Sequence, residues 1–236
     1  MADLRLDIWS DIACPWCYIG KRRLERALSL LKHTDLATTW HAFELNPAAP
    51  QWEDAAGHYA ERLAKKYGTS ASQAQAMIDR VKDVAKAEGL DFDFDIIRPG
   101  NTFDAHRLLR LARTHGIQDA VKERFMRGYF CEGQQVSDHE TLERLAVEAG
   151  LDAQLVSEVL ASNAYAVEVR QDETQARNLG INGVPFFIVN EHYGISGAQP
   201  PEVILDTLAQ AQRASPLDAC VSSIREAGRR SPLASS

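Results

Sequence analysis

The chain is poor in cysteine, with four in 236 residues, too few for the disulfide framework that staples small secreted domains. It has no apolar run near the roughly 20 residues of a membrane-spanning helix. It has no surplus of positive charge. Lys and Arg number 26 against 33 Asp and Glu, a formal charge of −7, which gives no support to binding of nucleic acid or acidic membranes, and Arg229-Arg230 is too short to change that. The seven histidines show neither H-x-x-x-H nor C-x-x-C-H spacing, so the common metal and haem-attachment patterns are missing. The opening Met1-Ala2-Asp3-Leu4-Arg5-Leu6 lacks the basic segment and apolar core of a secretory signal. The expected compartment is therefore the cytoplasm, where thiols are kept reduced. The chain is 45% hydrophobic and 25% charged, an ordinary globular balance with enough material for one sizeable core, or for a domain carrying an inserted subdomain.

Against this background, Cys14-Pro15-Trp16-Cys17 stands out. Leu4-Arg5-Leu6-Asp7-Ile8-Trp9 alternates as a strand does, and Leu24, Leu28 and Leu31 repeat at helical spacing. Cys14 therefore sits where a strand hands over to a helix N-terminus, with Pro15 in the first turn, where a missing N–H does no harm. Unsatisfied N–H groups and the helix dipole favour a thiolate there. In such motifs the thiol pKa falls from about 8.5 toward roughly 3.5–7.5. Cys17 follows one turn later, within reach of a disulfide on Cys14, which is the apparatus of dithiol–disulfide exchange. A zinc half-site would need a second close Cys or His pair, and Cys131 and Cys220 stand far apart and alone. A structural disulfide over so short a loop would be a poor staple. The spacing predicts Cys14 as the exposed, low-pKa thiol and Cys17 as the buried one.

A second signal lies far downstream. Asn182-Gly183-Val184-Pro185 reads as a turn entering the strand Phe186-Phe187-Ile188-Val189, and proline is tolerated at a strand start. By itself this is an ordinary trans proline, since cis is only about 5–6% of X–Pro bonds.

Taken together the motifs resemble the thioredoxin superfamily, specifically the DsbA family and its FrnE-like subfamily. The resemblance rests on Cys14-Pro15-Trp16-Cys17-Tyr18-Ile19-Gly20-Lys21, on Gly183-Val184-Pro185-Phe186-Phe187, on Ser196-Gly197-Ala198-Gln199-Pro200-Pro201 and on Asn101-Thr102-Phe103-Asp104-Ala105-His106-Arg107-Leu108, and it spans roughly residues 4–212. It implies Cys14 as nucleophile, Cys17 as resolving thiol, and Pro185 as a cis-proline beside them. Val184 would offer its backbone to an extended substrate. It implies no bound cofactor, since Cys14 and Cys17 carry the electrons, with glutathione as a candidate co-substrate. The implied partners are protein or small thiol–disulfide substrates and a redox-recycling partner.

The implied fold is α/β: a thioredoxin fold, with a mixed sheet flanked by helices, split by a large α-helical insertion. Residues 1–50 and 165–214 form the discontinuous thioredoxin domain, 51–164 the insertion and 215–236 a Ser/Ala/Arg-rich tail. Strands are expected at 4–9, 38–45, 186–189 and 194–196. Helices are expected at 15–32, 53–67, 71–88, 103–114, 165–179 and 201–212, with further apolar stripes at Leu142, Leu145 and Ala149 and at Leu155, Val156, Val159 and Leu160. More than 100 residues separate the second strand from Val184, far beyond the dozen a crossover needs. Ser137 and Glu140 read as a capping box. Trp16 and Tyr18 are expected to form an apolar rim near the thiols that meets substrate, with packing against the insertion as the alternative. Asp11 reads as an exposed turn carboxylate by the usual habit of aspartate, with tuning of the thiol as its alternative. Cys131 reads as buried and inert, and Cys220 as a tail thiol with no necessary role.

The reading that results is a thiol–disulfide oxidoreductase or isomerase acting on protein disulfides. Its first rival is a glutathione-dependent enzyme resembling kappa-class glutathione transferase or 2-hydroxychromene-2-carboxylate isomerase. Those relatives carry serine where Cys14 stands and lack the second thiol. The other rival is a redox-inert chaperone, against which the intact cysteine pair argues.

Overall fold

The computed structural model describes residues 4–31, 36–51 and 59–214. The tail from 215 and the start of the expected helix at 53 lie outside these. The chain runs β1 (Leu4–Ser10), α1 (Pro15–Leu30) and β2 (Leu36–Ala42). The helices α2 (Tyr59–Tyr67), α3 (Ala71–Ala87), α4 (Phe103–Thr114), α5 (Gln118–Cys131), α6 (His139–Glu148) and α7 (Ala153–Leu160) follow. It then returns through α8 (Ala166–Asn178), β3 (Phe186–Val189), β4 (Tyr193–Ser196) and α9 (Pro201–Arg213). The sheet order is β2-β1-β3-β4, with β1 parallel to β2 and β3 antiparallel to both β1 and β4. This is the expected thioredoxin arrangement, with α2–α7 inserted between β2 and α8.

Both faces of the sheet are covered. Leu4, Leu6 and Ile8 of β1 pack with Phe187, Val189 and Ile195 against α1 and α9. Trp9 points the other way and packs with Ala176 and Ile181 beneath α8. On that face His41 of β2 lies between two carboxylates, its Nδ1 2.7 Å from Asp172 and its Nε2 2.8 Å from Asp7, and its ring stacks on Trp9 at 4.5 Å. A second core holds the insertion together around Phe92, Phe94, Phe125 and Phe130. Ile12, Cys14, Cys17, Tyr18 and Ile19 belong to this second core. The first turn of α1 is thus seated in the insertion and its later turns on the sheet.

The ends of β2 and the start of α6 differ from the sequence reading. β2 starts two residues earlier and ends at Ala42 rather than Leu45. The Ala42 N–H donates to Asp172 Oδ2 at 2.9 Å and the Leu45 N–H to Asp11 Oδ2 at 2.8 Å, so side chains replace the ladder and turn the chain toward the thiols. The N-cap of α6 is Asp138, which accepts from the Thr141 N–H at 2.9 Å. Ser137, expected as the cap, is buried one residue earlier. A capping box does form at Ser70 and Gln73, opening α3.

Candidate active site

Cys14 is the N-cap residue of α1, with extended backbone angles and Pro15 beginning the helix. Its carbonyl accepts the Cys17 N–H at 3.0 Å. The Val184–Pro185 peptide bond is cis, and the Cys14 S–H donates to the Val184 carbonyl at 3.6 Å. One turn beyond Cys17, Gly20 makes room for the proline. A Cβ built there would stand 3.0 Å from Pro185 Cγ and 3.5 Å from Ala198 Cβ. The downstream loop and the Cys-Pro-Trp-Cys turn therefore form one place. Trp16 is 38% exposed beside it.

The electrostatics are those of a buried pair. Cys14, Cys17 and Cys131 are free thiols among the described residues. Cys14 is 4% exposed and Cys17 is fully buried. Burial pushes the Cys17 thiol up, but hydrogen bonds from Cys14 and Ser10, the charge of Lys122 and the Asp11 backbone outweigh it and hold Cys17 below the ordinary thiol range. Cys14 keeps the shared proton. Its hydrogen bond to Cys17 and its burial drive its thiol well up, and the charge of Asp11 adds to that. The two sulfurs thus titrate as a unit, the first proton leaving early and the second late. The expectation that Cys14 is the exposed thiol is corrected: the insertion and Val184 cover it.

Asp11 is a second correction. It is 2% exposed, accepting from the Leu45 N–H and lying 3.4 Å from His106 Nε2. Burial raises its carboxyl, yet His106, Leu45 and Thr102 outweigh burial and hold it below the usual range. A third is Tyr18, which is not on the rim. It is buried among Phe92 and Phe130, and its hydroxyl donates to Glu123 at 2.6 Å. Cys131 ends α5 half-buried rather than buried, and burial keeps its thiol raised. Cys220 lies outside the described residues.

Sequence reasoning missed three residues that the insertion brings to the pair. Burial pushes the hydroxyl of Tyr59 of α2 up to about 12, and its nearness to Cys14 adds to that. His106 of α4 reaches Asp11. Lys122 of α5 is fully buried, and its charge helps to lower the Cys17 thiol. Of these only His106 stood in a motif singled out in the sequence. A lysine and a tyrosine more than 40 residues away from the cysteines carry no local signal. Among the described residues, no group of three or more His, Cys, Asp or Glu side chains is arranged to hold a metal ion.

A dithiol opening a helix against a proline loop, on a β-α-β/α-β-β-α frame, defines a thioredoxin-fold redox enzyme. The chain belongs to the DSBA-like thioredoxin domain family, whose pattern matches residues 5–209. It is 44% identical to the crystal structure of a probable DsbA oxidoreductase from Streptomyces coelicolor, covering 99% of this chain and 94% of that one with a TM-score of 0.83. The uncharacterized protein YwbO of Bacillus subtilis is 26% identical over 213 residues, 89% of this chain and 98% of that protein. The fold is also shared with a cytosolic disulfide reductase, DsbM, from Pseudomonas aeruginosa, at 15% identity and a TM-score of 0.61, covering 87% of this chain and 98% of that one.

Proposed function

We propose that the protein exchanges dithiol for disulfide through Cys14 and Cys17, with Cys14 as nucleophile and Cys17 as resolving thiol. The observation that carries this reading is the free Cys14 thiol lying against Val184 and the cis-proline loop, at the start of the helix that carries Cys17 in its first turn. When the proton shared by the pair moves to Cys17, Cys14 becomes the thiolate. It attacks one sulfur of a substrate disulfide, forming a Cys14–substrate disulfide and releasing the other sulfur as a thiolate. Cys17, deprotonated in turn, attacks Cys14 Sγ, closes the Cys14–Cys17 disulfide and releases the second substrate thiolate. Two electrons pass from the protein to the substrate, and the reverse sequence oxidises a dithiol. Val184 supplies backbone and Trp16 an exposed aromatic face for an extended substrate.

Cys14 is nearly closed off, at 4% exposed within the insertion's core, which favours small disulfides beside protein ones. Glutathione is therefore retained as co-substrate, in line with a structure of DsbM solved with GSH. The cytoplasm is the proposed compartment, as for that reductase, and placement with FrnE-like proteins rests on the motif residues. No helix of the described residues is long and apolar enough to cross a membrane. The test is Cys17→Ser, which should accumulate mixed disulfides through Cys14, while Cys14→Ser should neither capture nor turn over substrate. Reduction of insulin disulfides by both single variants at the wild-type rate rejects the dithiol mechanism.

A further inference from the structure

Lys122 is the one fully buried lysine among the described residues, and it lies within the insertion. Its Nζ has no hydrogen-bond partner among the described residues. It stands 4.8 Å from the centroid of the Trp40 ring of β2, a cation–π contact that replaces only part of the lost hydration. An unpaired buried ammonium is costly, and folds rarely carry one without a use. The charged and titratable groups around it are Cys17 and Lys21 of α1, Asp11 of the β1–α1 turn and Asp119 one turn back on α5. Lys21 is already occupied by Glu25, Asp119 and Glu123. Asp11 is held by Leu45 and His106. Cys17 is the neighbour whose charge changes during the reaction.

We infer that Lys122 is a positioning residue for the resolving thiol, supplied by the insertion to hold the negative charge of Cys17 when the mixed disulfide is resolved. This rests on the dithiol reading above. In the mixed disulfide Cys14 has no proton to share, so Cys17 must find another partner. The step balances as follows: Cys17 attacks Cys14 Sγ as a thiolate steadied by the charge of the Lys122 ammonium, and the proton that Cys17 gave up ends on the departing substrate sulfur. The Cys14–Cys17 bond forms, the Cys14–substrate bond breaks, and the substrate sulfur leaves with the electron pair. The ammonium then stands opposite a neutral disulfide until reduction restores the charge it faces. Burial lowers Lys122 against the pull of Cys17, Asp11 and Asp119, to about 8, so the side chain is mostly ammonium at pH 7.

The test is Lys122→Met, read by thiolate absorbance against pH and by closure of a glutathione mixed disulfide at Cys14. The first thiol titration should move up by about one pH unit, a factor of ten in thiolate, and closure near pH 7 should slow about tenfold. The variant should unfold at the same or higher denaturant, since an unpaired buried charge is gone. A purely structural lysine would instead lower stability and leave the titration in place. Should the variant fail to fold, wild-type protein with ¹³C-labelled lysine decides. The ε-carbon of Lys122 should titrate at higher pH in the reduced than in the oxidised protein, and equal midpoints overturn the inference. The readouts separate the two claims. An unchanged thiol titration in Lys122→Met overturns the role of Lys122 even if turnover is normal, whereas failure of wild-type protein to exchange disulfides overturns the proposed function even if the titration moves.

Discussion

Replacing His41 by Asn measures what secures the strand that delivers the thiols. His41 bridges Asp172 and Asp7 at 2.7 and 2.8 Å, and all three side chains are almost wholly buried. Burial alone would lower the imidazole, but the two carboxylates outweigh it and hold it charged above its ordinary 6.5. Asp7 is raised by burial, yet His41 and Arg5 outweigh that and hold it below 3.8. Breaking a buried charge pair costs about 3–5 kcal/mol. The low end applies here, because Asp7 keeps Arg5 and Asp172 keeps Arg110 and the Ala42 N–H. A loss of about 3 kcal/mol lowers Tm by about 6–12 °C in a chain of this size. The sign with pH follows from the two shifts. The contribution of His41 is complete below about 6.5 and fades as pH rises through its raised value, because a neutral ring can donate to one carboxylate only. The contribution of Asp7 is complete above about 3.8 and fades as pH falls through its lowered value. The difference between wild type and variant, measured by urea unfolding, should therefore be largest near pH 5–6 and smaller at pH 9. A difference that grows toward pH 9, or a Tm change under 2 °C, refutes the charged bridge.

Two further outcomes follow from the site. Reduced protein treated with iodoacetamide at mildly acidic pH should be modified at Cys14 before Cys17, because only Cys14 retains any exposure and the pair's first proton leaves early; peptide mapping that finds Cys17 first reverses the roles. Gly20→Ala gains about 1 kcal/mol of helix propensity but overpacks against Pro185 at about 1–3 kcal/mol. It should be no more stable than wild type and should exchange disulfides more slowly; a full 1 kcal/mol gain with unchanged kinetics would show that the contact is loose.

The sequence by itself determined what depends on neighbours along the chain. Alternation in β1, the repeat of Leu24 and Leu28, and Pro15 behind Cys14 placed both cysteines at the start of a helix, because strand period, helix period and first-turn chemistry act within a few residues. The motifs around Pro185 became informative only through resemblance, and the structure brings that proline against Gly20. What the tertiary structure decided is the charge of the site. Asp11 looked exposed and is buried because Leu45, Thr102 and His106 close over it. Tyr18 looked like rim and is core because Phe92 and Phe130 of the insertion claim it. Lys122 gave no signal, since a lysine on an amphipathic helix ordinarily faces water. The physical reason is common to all three: secondary structure is set by short-range sterics and hydrogen bonds, whereas the protonation of a buried group is set by desolvation and by charges that only packing of distant segments brings within a few ångströms.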